Sequence, residues 1–221
     1  MVKIGIISDI HSNKVALEAV LDDMPDIDYL VCIGDIVGYG PRPAECVEIV
    51  REECDVIIQG NHDRDIHNPE VYEANHMAYQ GLLHSASELS DEKSEWLSSL
   101  PAQKDAPANF RAVHSHPAVT DMYVKPDDFP EMYKYTETYS GLILGHTHIQ
   151  HAEMVGKCIV INAGSVGQPR DSDPSSAYGV VDVQENTVDL RRVEYDVEAV
   201  IEDIDDIGLP IESGWRLRDG W

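Results

Sequence analysis

Positive charge is scarce in this chain. Sixteen lysines and arginines stand against 41 aspartates and glutamates over 221 residues, giving a formal net charge of −25. A protein that grips nucleic acid by neutralising phosphates needs a basic footprint, and none is visible here. An anionic membrane surface would repel the chain. The acidic excess runs along the whole length rather than forming a tail. It reads as a halophilic, solvated acidic surface, because self-repulsion of this size is tolerated where salt screens it. An acidic face for a basic partner is the alternative.

Cysteine is sparse too. Cys32, Cys46, Cys54 and Cys158 lie far apart with no C-x-x-C among them. They offer neither a disulfide framework nor a thiolate metal site, and read as small buried hydrophobes in a reducing compartment. No apolar run approaches the ~18 residues of a membrane span. The opening residues lack the pattern of a secretory signal. The expectation is a cytoplasmic protein with no membrane partner. Hydrophobic residues at 43% and charged ones at 26% are ordinary globular usage. One domain over 1–221, with a full core, is expected.

The order of elements narrows the class. Residues 2–8 form a β-branched run, then Val15, Ala16, Ala19 and Val20 recur at helical spacing after a capping Ser12 or Asn13. A second strand (29–33), a helix (43–53) and a third strand (56–58) follow. This alternation argues α/β with parallel strands at the start. The middle is helical over 71–88 and again after Ser90, with a small helical cap over 126–139. Strands are expected at 110–113, 142–144, 151–155, 159–161, 177–183 and 188–193, and a last helix from Asp196 through Asp206.

Five of these strands end in residues that can bind metal: Asp9-Ile10-His11, Gly34-Asp35, Gly60-Asn61-His62-Asp63, His114-Ser115-His116 and Gly145-His146-Thr147-His148. In open α/β sheets, ligands sit beyond the carboxyl ends of strands. Any one of these residues alone would be read as a cap or turn residue. Five such clusters in order, each after an apolar strand, would gather carboxylate, imidazole and amide groups in one crevice. Oxygen and nitrogen donors without thiolate suit Mn, Fe, Zn or Ni. Seven donors (Asp9, His11, Asp35, Asn61, His114, His146 and His148) exceed one ion's needs and serve two if a carboxylate bridges. Two such ions clamp an in-line displacement at phosphorus and acidify a shared water.

The ordered set resembles the calcineurin-like metallophosphoesterase superfamily. The resemblance continues through Asn162–Arg170, a segment similar to one in compact, single-domain prokaryotic members. It implies a two-sheet β-sandwich flanked by helices and a site for two divalent ions, Mn favoured. One ion would take Asp9, His11, Asp35 and His148. The other would take Asp35, Asn61, His114 and His146. Metal-bound hydroxide would attack phosphorus while His62, the catalytic residue, assists the leaving group. His116 competes with His114, which is preferred because it directly follows Val113. Gly38 and Tyr39 stand where the serine/threonine phosphatases of the superfamily carry Asp and Arg, which weighs against that branch. Asp63 either orients His62 or holds a turn. Gly164, Ser165 and Arg170 either line a phosphate pocket or form a tight loop, and Arg42 has a weaker case as an anion clamp.

The expected function is therefore a metal-dependent phosphoric ester hydrolase acting on a small phosphodiester or nucleotide. A phosphomonoesterase or protein phosphatase is the nearest alternative. A protein-interaction scaffold on the same fold, as in the related retromer subunit, is another, and metal storage is the weakest. The acidic chain argues against long nucleic acid as substrate, and the sequence leaves the oligomeric state open.

Overall fold

The computed structural model describes residues 2–221. Strand β1 (Lys3–Ile7) leads through helix α1 (Lys14–Asp23) to β2 (Tyr29–Cys32), α2 (Pro43–Glu53) and β3 (Val56–Ile57). Asn13 caps α1, its side chain accepting a hydrogen bond from the Ala16 N–H at 3.1 Å. Pro43 opens α2, where its missing N–H costs nothing. The middle holds α3 (Asn61–Arg64), α4 (His76–Glu88) and α5 (Asp91–Ser99). The single helix expected over 71–88 is divided. A 3₁₀ turn covers Pro69–Tyr72, and Asn75 caps α4 from extended backbone by accepting from the Ala78 N–H.

The β-rich part follows as β4 (Gln103–Ala106), β5 (Phe110–Val113), β6 (Gly141–Leu144), β7 (Gln150–Val155), β8 (Cys158–Ala163), β9 (Ser176–Asp182) and β10 (Thr187–Val193). Helices α6 (Val197–Asp206) and α7 (Glu212–Trp215) close the chain, α6 capped by Asp196 as expected. The helical cap expected over 126–139 is a 3₁₀ run over Pro126–Tyr135, and Pro130 inside it bars continuous α-helical bonding.

The strands form two five-stranded sheets, ordered β10-β9-β1-β2-β3 and β4-β5-β6-β8-β7. In the first, β1, β2 and β3 run parallel and β9 and β10 antiparallel. In the second, β5, β6 and β8 are parallel, with β4 and β7 antiparallel at the edges. Ile4, Ile6, Val31 and Ile33 of the first sheet pack on Phe110, Ile143, Ile159 and Ile161 of the second. Leu17, Val47, Leu82 and Leu97 cover the outer face of the first sheet, and Phe129 and Met132 cover the second. The fold is an α/β two-sheet sandwich flanked by helices. All four cysteines are free, and Cys32, Cys46 and Cys158 are buried. Among the described residues no helix is long and apolar enough to cross a membrane.

Candidate metal centre

The residues following β1, β2, β3, β5 and β6 meet at one rim of the sandwich. To turn sharply out of strands, the chain adopts left-handed backbone at Asp9, His11, Asp35, His146 and His148, with φ between 48° and 68°. Such a conformation costs a non-glycine residue about 1–2 kcal/mol. Strain of this kind persists only where surrounding structure enforces it, and it concentrates at functional sites. Backbone bonds between loops supply the enforcement: the Asp9 N–H donates to the Gly34 carbonyl (3.0 Å) and the His11 N–H to the Asp35 carbonyl (2.9 Å). Gly60 is required beneath them, since a Cβ there would lie 2.1 Å from Asp35 Oδ1.

The side chains converge. His148 Nε2 lies 3.3 Å from Asp9 Oδ1 and 3.2 Å from His11 Nε2. Asp35 Oδ2 lies between His11 Nε2 (3.7 Å) and His114 Nε2 (3.4 Å), and Asn61 Oδ1 is 3.2 Å from His114 Nε2. Two separate groups, Asp9–His11–His148 and Asp35–His114–His146, each bring their ligand atoms within 4.8 Å of one another. His62 forms a third such group with His11 and Asp35.

Four imidazoles are oriented by main-chain carbonyls. Nδ1 of His11, His114 and His148 faces the carbonyls of Val37 (3.1 Å), Ile33 (2.6 Å) and Gln168 (2.6 Å), which leaves Nε2 toward the cluster. His146 is reversed: Nε2 faces the Asp121 carbonyl at 3.1 Å, leaving Nδ1 inward. Metal-ligating histidines are oriented in this way. Asp9 Oδ1 is buried without a hydrogen-bond donor. Burial works to raise the Asp9 carboxyl, but His148 and His114 prevail and hold it below the usual range. Asp35 is held low against burial by His114 and His62. Burial opposes a proton on His114, yet the charges of Asp35 and Asp9 push it up to about 10. The buried carboxylates thus call for positive charge between them, which a divalent cation supplies. The donor set fits the implied metal pair.

Residues 2–186 match the calcineurin-like phosphoesterase superfamily domain. The chain belongs to this family. It is 34% identical to the uncharacterized protein MJ0912 of Methanocaldococcus jannaschii, over 97% of this chain and 96% of that protein. It is 27% identical to the phosphodiesterase YfcE of Escherichia coli K12, over 82% of this chain and 88% of that one. The crystal structure of a metallophosphoesterase from Sphaerobacter thermophilus superposes with a TM-score of 0.86 at 32% identity, covering 100% of this chain and 99% of that one.

His62 differs from the four carbonyl-bound histidines. Its Nδ1 is buried without a partner. Gly38 is the reason: a Cβ there would lie 2.3 Å from that nitrogen, so no side chain fits beside it. The ring stacks on Tyr72 (4.8 Å between centroids) and meets His11 edge-on (4.9 Å). Burial holds it down to about 4, against the pull of Asp35 and with Arg170 adding to the fall. The Asp63 carboxylate makes no hydrogen bond to the His62 ring. It accepts the backbone N–H groups of Ile36, Val37 and Gly60, and so holds the turns.

Other expected residues are separated. His116 faces away, accepting the N–H groups of Ala118 and Val119, and lines a neighbouring cavity of about 300 Å³. Ser165 is fully buried, donating to the Asp9 carbonyl and accepting the Gln168 N–H, so it braces the first loop and does not line the pocket. Gly164, at φ +82°, packs against Ala177 and Gln150. Arg42 is tied to Asp203 by two bonds. Arg170 alone of this group reaches the site. It lines a cavity of about 390 Å³ with Asp35, Asn61, His62, His146 and His148.

Several cavity residues escaped sequence reasoning, among them Tyr72 and Arg216, with Asp121 and Tyr123 beside His146. Tyr72 accepts a hydrogen bond from Asn61 Nδ2 at 2.7 Å, which aims Asn61 Oδ1 at the cluster. Arg216 enters from the far end of the chain. None of them belongs to a recognisable motif, and only the tertiary fold brings them in.

Proposed function

We propose that the chain is a two-metal phosphoesterase favouring small phosphodiesters, with Asp9, His11, Asp35 and His148 holding one divalent ion and Asp35, Asn61, His114 and His146 the other. The observation that carries this reading is the set of inward-facing donors, each imidazole fixed through its other nitrogen by a main-chain carbonyl. When bound, a pair of Mn²⁺ ions would supply Lewis acidity and water activation at near-neutral pH.

The chain's own residues do the rest. Asp35 bridges. Arg170, beside His62 and His148, receives the phosphoryl oxygens, as a planar guanidinium suits. His62 supplies a proton to the leaving oxygen through Nε2, because its Nδ1 is closed off by Gly38. Burial disfavours a proton on His62 and a phosphoryl anion placed beside it favours one; proton transfer of this kind is worth about 10²–10⁴ in rate. Tyr72 keeps Asn61 and His62 in place by hydrogen bond and stacking. The preference for diesters draws on the relative named phosphodiesterase YfcE. A scaffold has no use for a complete donor set with a separate unpartnered histidine, and this supports the enzyme reading.

The test is hydrolysis of bis(4-nitrophenyl) phosphate and 4-nitrophenyl phosphate in parallel, with added Mn²⁺ and molar KCl. Metal-dependent turnover with the diester preferred is expected. Turnover of neither ester by protein carrying its metals would contradict the enzyme reading.

A further inference from the structure

The short helix α3 carries more than Asn61 and His62. Its last residue is Arg64, whose main-chain N–H donates to the Gly60 carbonyl at 3.0 Å. The Arg64 guanidinium makes two forks. Nε and Nη2 donate to Oδ1 (2.8 Å) and Oδ2 (2.6 Å) of Asp65. Nη1 and Nη2 donate to Oδ1 (2.9 Å) and Oδ2 (3.0 Å) of Asp121. Among the described residues no other arginine pairs with two side-chain carboxylates. Four of the five N–H groups are used, which leaves no free fork for a substrate anion.

Each fork leads to a donor of the same ion. Asp65 Oδ2 accepts from the Tyr72 hydroxyl at 3.2 Å, and that hydroxyl accepts from Asn61 Nδ2 at 2.7 Å. Asn61 Oδ1 is thereby turned toward His114 Nε2. On the other side Asp121, in left-handed backbone at φ 60°, sets its carbonyl 3.1 Å from His146 Nε2. The imidazoles assigned to the first ion, His11 and His148, are fixed by the Val37 and Gln168 carbonyls and share no bond with this network. The loop that carries Asp121 has few other ties: the Asp121 N–H donates to Ser115 Oγ (3.1 Å) and the His116 N–H to the Met122 carbonyl (3.2 Å). Single ion pairs at a surface contribute little, but two-pronged arginine–carboxylate pairs joined in a network fix geometry.

We propose that Arg64 is a positioning residue for the second ion alone. Its forks lock α3 to the loop after β5, so that Asn61 Oδ1 and His146 Nδ1 are presented together. This rests on the two-ion reading of the centre. The sign of the effect separates positioning from charge. A guanidinium repels a divalent cation, so its removal would tighten metal binding if its field were all that mattered. Positioning requires the opposite.

The experiment is calorimetric titration of Mn²⁺ into metal-depleted protein. The wild type is expected to take up two ions, and His146→Ala identifies the step that belongs to the second. Arg64→Gln should weaken that step about 10–100-fold, as for residues that support metal ligands, and leave the other unchanged. Arg64→Lys keeps the charge but not the forks, and should share most of the loss. Asp121→Asn, which tolerates the same backbone and keeps the carbonyl, should show a smaller loss of the same step. Arg51→Gln removes an arginine of equal exposure, 37%, paired with Glu92, and should change neither step. Unchanged or tighter binding of both ions in Arg64→Gln, or an equal loss of both, would overturn the proposal while leaving the ion pair intact. A wild type that binds a single ion would overturn the two-ion reading and this proposal with it.

Discussion

The substitution Asp63→Asn tests how the loops of the centre are held. Asp63 is fully buried. Its Oδ1 accepts from Ile36 (2.9 Å) and Val37 (3.3 Å), and its Oδ2 from Gly60 (3.0 Å). Those peptides carry Asp35 on one side and Asn61 and His62 on the other. In the better orientation of the substituted side chain, the amide oxygen keeps Ile36 and Val37, and the NH₂ faces the Gly60 N–H. Leaving that N–H unsatisfied costs about 1–3 kcal/mol, and exchanging two charge-assisted bonds for neutral ones adds about 1 kcal/mol. Relief works the other way, because burial and the Asp35 charge push the Asp63 carboxyl up to about 7 and make its ionised form costly. The net loss is about 2–3 kcal/mol, or roughly 5–10 °C in Tm for a chain of this size. Scanning calorimetry in metal-free buffer measures it. A Mn²⁺ titration should show affinity lowered about 10–100-fold, as for residues supporting metal ligands. A variant with wild-type Tm and Mn²⁺ affinity but a lower kcat would refute the reasoning, since Asp63 would then act on His62.

Further substitutions separate the roles. Asp35→Asn should lose metal and activity together, read by metal analysis beside an esterase assay, because Asp35 faces both donor groups. His62→Ala should keep its metal but lose about 10²–10⁴ in kcat on an alkyl phosphodiester. It should lose far less on the 4-nitrophenyl ester, whose leaving group departs without a proton; equal losses on the two esters would remove the general-acid role. Gly60→Ala should abolish tight Mn²⁺ binding in a calorimetric titration, since its Cβ would collide with Asp35 Oδ1 at 2.1 Å.

Much of this architecture is legible in the sequence. The strand–helix alternation over residues 2–58 is readable because buried parallel strands are short, continuous apolar runs bounded by turn residues. The Asp, His and Asn residues after those strands stand out because polar groups at strand ends have nowhere to go but the rim. The choice between His114 and His116 follows from adjacency to Val113, the last residue of β5. Other features are hidden. Strand β4 reads Gln-Lys-Asp-Ala and has three of its four residues exposed, so an edge strand shows no apolar alternation. The break between Tyr72 and His76 arises from the capping Asn75, which a count of helical spacings passes over. Ser165 sits in a segment that reads as a pocket loop, and only packing turns its hydroxyl toward the Asp9 carbonyl. Arg216 is over 200 residues from Asp9 in sequence, and no local pattern marks its arrival in the cavity.

The central claim is that one cluster of carboxylate, amide and imidazole groups holds a bridged pair of ions. Metal content after Mn²⁺ loading, followed beside hydrolysis of bis(4-nitrophenyl) phosphate as Mn²⁺ is added stepwise, tests it most directly. The account predicts two equivalents per chain, with activity rising as the second is taken up. Saturation at a single equivalent with full activity, or turnover undiminished after exhaustive chelation, would contradict it.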